Sequence, residues 1–369
     1  MVALIADVAI DEVAQRDALA ERLFQATLNT WDIATVFIGH RLGLYRALAE
    51  VEPATSSELA TTAGLTERYV REWLEQQTVS GILECENSEA MAADRRFAIP
   101  PGHAAVLVDI DDPNFLAPLA PITMGALQPI QMLLGAFRTG GGVAYADYGL
   151  DLRTGQAEMN RNLFLQGLGS EYLPAIPELH ERLLADPPAR VADIGCGVGW
   201  SCVGIAQAYP NVRVDGFDLD EASVSEAQDV LREAGVTDRV DVMLRDAADP
   251  ELAGRYDLVT AFECVHDMSD PVGALATMRR LAGNNGTVLV MDERVADAFD
   301  PAAGDVERFM YGFSVLHCLP VGMEDQPSAG TGTVMRISTL RGYAIAAGFQ
   351  DVDVLPLEHP FFNFYRLVG

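Results

Sequence analysis

Residues 191–200 read VADIGCGVGW, an apolar run that passes directly into three closely spaced glycines. Val191, Ala192 and Ile194 have the composition of a buried strand, and glycine has no Cβ where a backbone must turn sharply and approach a ligand. The segment 201–209 is predicted to be a helix whose free N–H groups, at its start, would face that ligand. The sequence therefore predicts a strand, a glycine loop and a helix that together bind a cofactor.

The spacing of the glycines distinguishes between cofactors. A dinucleotide-binding fingerprint would place its third glycine at position 200, but that position is Trp200 and the third glycine is Gly199. The next predicted strand, 213–217, ends at Asp218, about 20 residues beyond the loop, where a carboxylate can accept hydrogen bonds from both hydroxyls of a ribose. A nicotinamide or flavin site remains the alternative for the glycine loop alone.

Two further predicted strands, 240–244 and 256–261, end at Asp246-Ala247 and at Phe262. This succession resembles the class I S-adenosylmethionine (SAM) methyltransferases. The resemblance implies SAM as the cofactor and S-adenosylhomocysteine (SAH) as the product. The cofactor contacts that it implies are Asp193, Gly195 and Gly197 for the amino-acid end, Asp218 for the ribose, Asp246 and Ala247 for the adenine, and in addition Cys196, Gly199, Leu219, Phe262 and Tyr148.

The fold class follows from the alternation of strands and helices in the last half of the chain. A fifth strand is predicted at 286–292, and 352–357 and 362–368 are predicted to form a terminal hairpin. Five parallel strands and a hairpin match the seven-stranded, doubly wound, Rossmann-like α/β sheet of these methyltransferases, in which the ligand lies where the strand order reverses.

Composition bounds the class of protein. The chain has 369 residues, 49% of them hydrophobic, which favours two domains with substantial cores. No apolar run approaches the ~20 residues of a membrane span, and the start of the chain, with Asp7, Asp11 and Glu12, lacks the basic-then-apolar pattern of a signal peptide. We therefore expect a cytoplasmic protein with no membrane association.

Charge and cysteine usage exclude further classes. A net charge of −29 repels phosphate backbones, so a nucleic-acid substrate is not expected. The five cysteines include no CxxC pair, which is typical of reduced cytosolic thiols. Cys196 and Cys202 lie six residues apart, but no second Cys or His pair completes a zinc site. We expect no metal.

The first part of the chain predicts a winged helix. Helices are predicted at 16–29 and 32–49, then at 59–63 and 68–79 with Thr55 and Thr66 as caps, followed by a β-wing at 82–85 and 96–99. Acidic residues outnumber arginines more than twofold up to residue 110, whereas a DNA-binding face should be basic. A dimerisation module is favoured, and a SAM-sensing transcriptional regulator is the alternative. Candidate interface residues, which core burial would explain equally well, are Leu23, Phe24, Leu28, Trp31 and Phe37.

The predicted domains are a winged-helix and dimerisation domain (1–108), a helical connector and lid (109–178) and a SAM-binding domain (179–369). Gly140, Gly141 and Gly142 precede Tyr145 and Tyr148. This pattern predicts either a hinge that carries aromatic contacts to the pocket or a surface loop.

A second motif follows the fourth predicted strand. Residues 266–270 read HDMSD, which is similar to the His-Asp-Trp-Ser-Asp block of plant-type small-molecule O-methyltransferases, with Met268 in place of the tryptophan. Those enzymes also carry an N-terminal winged-helix dimerisation domain, and the whole chain resembles an actinobacterial group of winged-helix SAM methyltransferases. The resemblance implies methylation of an aromatic or polyketide-like hydroxyl in a homodimer, with His266 as general base; a buried or helix-capping histidine is the alternative.

Several points stay open in the sequence. Glu263, Asp267 and Asp292 are each possible orienters of His266. A long irregular insertion at 300–336 is predicted to line the substrate pocket and contains His317 as a rival base. Methylation of nitrogen or carbon, and SAM chemistry without methyl transfer, are further alternatives. The residues expected to line that pocket are Phe309, Met310, Tyr311, Phe313, His317, Met323 and Val334.

Overall fold

The computed structural model describes residues 2–369, with side chains described from residue 11 onward. The N-terminal charge pattern that includes Asp7 therefore lies outside the described side chains. The chain forms two compact units, a first that ends at Met124 and a second, Gly125–Gly369. The finer division at 108/109 and 178/179 stays a prediction.

The first unit contains a winged helix, as predicted. Its elements are α1 (Val2–Arg41), α2 (Leu44–Val51), α3 (Ser56–Ala63), α4 (Glu67–Val79), strand β1 (Glu84–Cys85), a 3₁₀ turn (Ala92–Asp94), strand β2 (Phe97–Ala98) and α5 (Pro101–Leu107); α6 (Leu119–Leu127) continues into the second unit. Strands β1 and β2 pair antiparallel as the wing. The core beneath them includes Leu48, Leu59, Leu74 and Phe97, all buried.

Two local predictions for this unit were wrong. The break predicted between residues 29 and 32 is absent, because nothing between Asn29 and Asp32 breaks a helix. It comes instead at Gly43, whose φ of 67° separates α1 from α2, so the predicted helix 32–49 is divided between the two. Thr66 occupies the N-cap position of α4 without a side-chain hydrogen bond. The Thr55 cap is confirmed, because its side chain and that of Glu58 form a reciprocal capping box.

The second unit alternates helices and strands around one sheet. Its elements are α7 (Ile130–Thr139), a 3₁₀ turn (Tyr145–Tyr148), α8 (Gly149–Asn162), a π-helical segment (Leu163–Tyr172), α9 (Pro177–Leu184), β3 (Arg190–Ile194), α10 (Trp200–Ala208), β4 (Arg213–Asp218), α11 (Glu221–Glu233), β5 (Val240–Leu244), β6 (Leu258–Phe262), a 3₁₀ turn (Val265–Asp267), α12 (Pro271–Ala282), β7 (Thr287–Glu293), α13 (Asp305–Phe313), a second π-helical segment (Ser314–Cys318), α14 (Leu319–Gly322), α15 (Ile337–Ala346), β8 (Asp351–Val354) and β9 (Phe362–Val368).

The sheet confirms the predicted seven-stranded architecture. Its order is β5-β4-β3-β6-β7-β9-β8, in which β9 alone runs antiparallel to its neighbours β7 and β8. The strand order reverses between β3 and β6, so the carboxyl ends of these two strands border the crevice where ligands of doubly wound sheets bind. The glycine loop follows β3 at this point.

Buried apolar residues cover both faces of the sheet. One face packs against α10 and the π-helical segment 163–172, and a Cβ on Gly204 of α10 would overlap the carbonyl oxygen of Phe164. The absence of a side chain at this position therefore lets the start of the π-helical segment pack closely against α10.

Among the described residues no single helix has the length and apolar composition to cross a bilayer; α6 and α7, bent by 52°, meet both criteria only as a pair.

Candidate functional site

A cavity of about 1050 Å³ lies at the carboxyl edge of the strands around the switch point. It is lined by eight of the residues that the resemblance assigned to the cofactor: Gly195, Cys196, Gly197, Asp218, Leu219, Asp246, Ala247 and Phe262. The fold thus brings together segments that are up to 67 residues apart in the sequence, from the ends of β3, β4, β5 and β6. Three predicted contacts, Asp193, Gly199 and Tyr148, do not line the cavity.

The glycine loop needs its glycines for two different reasons. Gly195 has φ 66°, and a Cβ there would lie 2.7 Å from the Sγ of Cys264, so a side chain would displace the wall. Gly197 has φ 54° with no protein atom within 4 Å of a Cβ. The space above Gly197 therefore belongs to the cavity, as close approach of a ligand to the backbone requires.

Asp218 is fixed by the loop that it faces. Its Oδ2 accepts a hydrogen bond from the N–H of Gly197 at 2.7 Å, and its Oδ1 accepts one from the N–H of Asp220 at 2.9 Å. Each carboxylate oxygen can accept a second hydrogen bond, so two acceptor positions remain toward the cavity. Burial raises the pKa of Asp218, against the lowering effect of these N–H groups. The residues present fit a nucleoside cofactor whose ribose hydroxyls donate to Asp218.

Asp193 does not line the cavity and influences it only through a neighbouring side chain. Its side chain is buried and accepts hydrogen bonds from the hydroxyl of Ser201 and, at 2.6 Å, from that of Thr260; the thiol of Cys202 lies 3.4 Å away. Ser201 itself lines the cavity. Asp193 therefore holds Ser201 at the start of α10 and offers no direct contact to a ligand.

His266 lies in the 3₁₀ turn behind the cavity wall. Its side chain is 2% exposed, and its Nδ1 lies 2.9 Å from Oδ1 of Asp292 and 2.9 Å from Oε2 of Glu293. The imidazole Nδ1 carries one proton, which Asp292 accepts, so Oε2 of Glu293 is left without a hydrogen bond. Burial alone would lower the pKa of His266, but Glu293 and Asp292 outweigh it and hold the pKa well above its usual value.

Of the three carboxylates left open as orienters, Asp292 is the one bonded to the ring. Glu293 was missed by the sequence analysis, although it follows Asp292 directly at the end of β7. The donor atoms of His266, Asp292 and Glu293 lie within 4.8 Å of one another, which is also a possible metal-binding spacing. Because Nδ1 already shares a proton with Asp292, we interpret the group as a hydrogen-bonded His266–Asp292 pair with the carboxyl group of Glu293 beside it.

The insertion 300–336 differs from the prediction. It is largely helical up to Gly322. None of the residues predicted to line the substrate pocket is among those that line this cavity: Phe309, Met310, Tyr311, Phe313, His317, Met323 and Val334. Phe309 and Tyr311 are instead 48% and 36% exposed. Val321 and the segment 324–329 reach the cavity in their place.

His317, the rival base, is enclosed by aromatic rings. The ring centroids of Tyr148 and Phe313 lie 4.6 Å and 5.0 Å from that of His317, and its Nε2 has no hydrogen-bond partner among the described residues. Burial lowers the pKa of His317 to about 3, so the ring is neutral. Tyr148, a predicted cofactor contact, is also fully buried and donates its hydroxyl to the carbonyl of Leu316 at 2.9 Å.

One wall of the cavity comes from the connector and was not predicted residue by residue. Its side chains include Tyr145, from the turn after the three glycines, and a stripe along α8 and beyond: Arg153, Gln156, Ala157, Asn160 and Phe164. Gln156, Ala157 and Asn160 lie three, four and seven residues after Arg153, which is the spacing of side chains on one face of a helix. This face of α8 therefore borders the cavity. Because the stripe is mostly polar, it resembles a solvated surface, and only the position of Tyr145 beside the glycines signalled the wall.

Glu263 is a second unpredicted feature of the wall. Among the described residues it is the one non-glycine with a positive φ, 56°. Its Oε2 lies 3.4 Å from the Nδ2 of Asn160, and its Oε1 has no hydrogen-bond partner. Burial raises the pKa of Glu263 to about 7, against the lowering effect of His266. Strained backbone of this kind concentrates at functional sites.

Two family models match the chain. Residues 32–109 match the Rv2258c-like winged HTH domain, and residues 168–354 match the methyltransferase domain. The first match covers the winged helix and the second covers the strands around the cavity.

The chain is also similar to proteins named as methyltransferases. Ajmaline N-methyltransferase of Rauvolfia serpentina is 28% identical over 105 residues, which are 28% of this chain and 36% of that enzyme, so the chain matches about a third of the relative. The structure of mitomycin 7-O-methyltransferase MmcR superimposes with a TM-score of 0.69 at 18% identity, covering 97% of this chain and 100% of that one. Human N-acetylserotonin methyltransferase in complex with SAM gives 0.69 at 16% identity, covering 95% and 98%.

Proposed function

Because the chain belongs to the methyltransferase-domain family, whose model matches residues 168–354, we propose that it transfers a methyl group from SAM to a hydroxyl of a small aromatic or polyketide-like molecule. The observation that carries this proposal is the convergence of the glycine loop, Asp218, Asp246 and Phe262 on one cavity. Bound SAM supplies a methyl group on a positively charged sulfur, which leaves as a neutral thioether.

The chain's own residues bind and place the reactants. Gly195 and Gly197 provide a backbone surface without side chains, Asp218 accepts hydrogen bonds from the ribose, and Asp246 and Ala247 contact the adenine. Asp193 contributes through Ser201. Holding two reactants in line at about 3–3.5 Å can lower a barrier by ~7–11 kcal/mol, so placement alone accounts for much of the rate.

We propose His266 as the group that finally takes the proton of the hydroxyl. Asp292 holds Nδ1, which leaves Nε2 as the nitrogen that can accept a proton. His266 itself does not line the cavity, whereas its chain neighbours Cys264 and Asp267 do, so the acceptor hydroxyl must reach the ring past the wall that these residues form. Since the two carboxylates favour the imidazolium and raise the pKa of His266, the neutral base becomes available at a higher pH than that of an ordinary histidine does.

The alternatives have separate tests. Methylation of a nitrogen or carbon that needs no base would survive replacement of His266 by alanine. A SAM-sensing regulator is disfavoured because the basic side chains of α4 pair on the helix itself, Arg68 with Glu72 and Arg71 with Glu67. Sequence-selective DNA binding in an electrophoretic shift at low salt would reverse that conclusion. Consumption of SAM and substrate without SAH would indicate chemistry other than methyl transfer.

We further propose a cytoplasmic homodimer. In α1 the side chains of Leu19, Leu23, Phe24 and Trp31 are 56–61% exposed and that of Leu28 is 40% exposed. Monomeric proteins rarely leave such a contiguous apolar stripe in water. Phe37, also predicted at the interface, is half-buried.

The decisive experiment is calorimetric titration with SAH, followed by incubation of SAM with a panel of hydroxylated aromatics and mass-spectrometric detection of methylated product and SAH. Binding of SAH and product formation are the expected results. Binding of NAD or FAD in place of SAH would exclude the proposed cofactor and reaction.

A further inference from the structure

The wall of the cavity is strongly acidic. It contains eight carboxylic residues, namely Asp218, Asp220, Asp246, Glu263, Asp267, Asp270, Glu324 and Asp325. The basic residues that line it are Arg153 and Arg245. Arg153 lies 3.9 Å from Asp220 and 3.5 Å from Glu226, and Arg245 lies 3.0 Å from Asp249. Both guanidinium groups therefore already lie beside carboxylates, although the Nε of Arg153 has no hydrogen-bond partner. The eight acids outnumber these two cations, so the wall favours a cationic ligand over an anionic one.

Four of these eight acids accept hydrogen bonds from backbone N–H groups. Asp218 accepts from Gly197 and Asp220, Asp220 caps α11, Asp270 caps α12, and Asp246 accepts from Ala248 at 2.8 Å. These hydrogen bonds explain the acids as parts of turns and helix starts.

Glu263 has no such explanation. Its one hydrogen-bond donor is the amide of Asn160, at the long distance of 3.4 Å, and its Oε1 is buried without a partner. The groups that face it are Asn160 from α8, His266 from the following turn and Asp292 from β7. A buried, incompletely bonded carboxylate in a strained backbone is costly unless a ligand completes it.

On the basis of the proposed function, we propose that Glu263 selects the methyl acceptor by binding a positively charged nitrogen. The substrate class is then a hydroxylated aromatic molecule that carries a basic amine. An ammonium N–H would give Glu263 a charge-assisted hydrogen bond, which is stronger than a neutral one. An acceptor with a carboxylate would instead add like charge to a wall whose two arginines are already paired.

Three phenols of similar size test the selection. Each phenol carries a short side chain that ends in a different group: an ammonium in tyramine, a hydroxyl in tyrosol and a carboxylate in 4-hydroxyphenylacetate. Their dissociation constants are measured on protein saturated with SAH. Tyramine should bind about 10- to 100-fold more tightly than tyrosol, and the carboxylate should bind more weakly than both.

Glu263→Gln should bring tyramine to the affinity of tyrosol and leave tyrosol nearly unchanged. Glu181→Gln, the same chemical change at an exposed position of α9, should preserve the wild-type ranking. Burial raises the pKa of Glu263 to about 7, so tyramine binding to the wild type below that pH should release a proton, which titrations in buffers of different ionisation enthalpy detect. The proton release needs no variant and remains informative if Glu263→Gln fails to fold.

Equal affinity for the carboxylate and the amine, unchanged tyramine affinity in Glu263→Gln, or no tyramine binding by protein that binds SAH would each overturn the selection. Failure to bind SAH at all would count against the proposed function. Methylation of the tyramine nitrogen in place of its oxygen, distinguished by fragmentation of the product, would overturn the hydroxyl target and leave the role of Glu263 standing.

Discussion

The backbone N–H of Gly197 donates a hydrogen bond to Oδ2 of Asp218, with 2.7 Å between the two atoms. This bond joins the loop after β3 to the end of β4, two segments that doubly wound sheets bring together at the ligand crevice. The carboxylate proposed to bind the ribose is thereby fixed by the same loop that receives the rest of the cofactor.

Replacing Asp218 with alanine should weaken SAH binding by about 10- to 100-fold, because hydrogen bonds to a charged group contribute roughly 1.5–3 kcal/mol. Calorimetric titration measures the change. Asp229→Ala, on the exposed side of α11, provides the control and should bind SAH like the wild type. An unchanged affinity in Asp218→Ala would show that the ribose contact is misassigned.

Gly197→Ala and Gly235→Ala form a matched pair. Their φ angles are 54° and 66°, and no atom lies within 4 Å of a Cβ at either position. Both should lose roughly 1–2 kcal/mol of folding free energy from the left-handed backbone. Since only Gly197 lines the cavity, only that variant should also lose SAH affinity. Equal affinities in the two variants would contradict a cofactor seated on the loop.

Replacing His266 with glutamine should reduce kcat for a phenol by about 10²- to 10⁴-fold with little change in KM, the range typical of general bases. Because Glu293 and Asp292 hold the pKa of His266 well above its usual value, wild-type kcat should rise with pH as the imidazolium loses its proton, and the rise should occur at a higher pH than an ordinary histidine would give. The variant should lack that rise. His317→Gln serves as comparison, and a loss of activity there, with His266→Gln unaffected, would transfer the role to His317.

Glu263 should also make stability depend on pH. Its pKa is raised from 4.5 to about 7 in the folded chain, so the unfolded state ionises first and folding is progressively disfavoured as the pH rises through that window. Glu263→Gln does not titrate. Its free energy of unfolding relative to wild type should therefore increase by on the order of 3 kcal/mol between about pH 4 and pH 8. Urea unfolding at both pH values measures this difference, and a constant difference would mean that the carboxyl is not buried as described.

Charged residues on α1 should dissociate the proposed dimer. Leu23→Glu combined with Trp31→Glu places two carboxylates in the exposed apolar stripe, which should shift the sedimenting species from dimer to monomer. Val79→Glu, 89% exposed at the end of α4, controls for added charge. A wild-type protein that sediments as a monomer would refute the proposed assembly.

The sheet and the cofactor side of the cavity could be predicted because their signals are local. Buried strands such as 190–194 are rich in apolar residues, here Val191, Ala192 and Ile194, and glycines or acids mark where each strand ends. The missed wall depends on tertiary packing. The polar stripe of α8 faces the cavity only because α8 leads into the π-helical segment against α10. In the helical segment 305–322, Phe309 and Tyr311 are exposed and His317 is buried among other rings, a distribution that depends on tertiary packing and not on the local sequence. Glu293, the second carboxylate beside His266, was also missed, because Asp292 directly before it was already a candidate for the same role.

Gly204 shows how a position outside the cavity can set its width. Its missing side chain accommodates the carbonyl of Phe164, and Phe164 belongs to the wall. Any larger residue at 204 would push that wall inward or outward without touching a ligand. Mutagenesis restricted to residues that line the cavity would leave position 204 out of any effort to broaden the range of acceptors. Because the interior is closely packed, a small change in side-chain volume at this position would change the shape of the cavity.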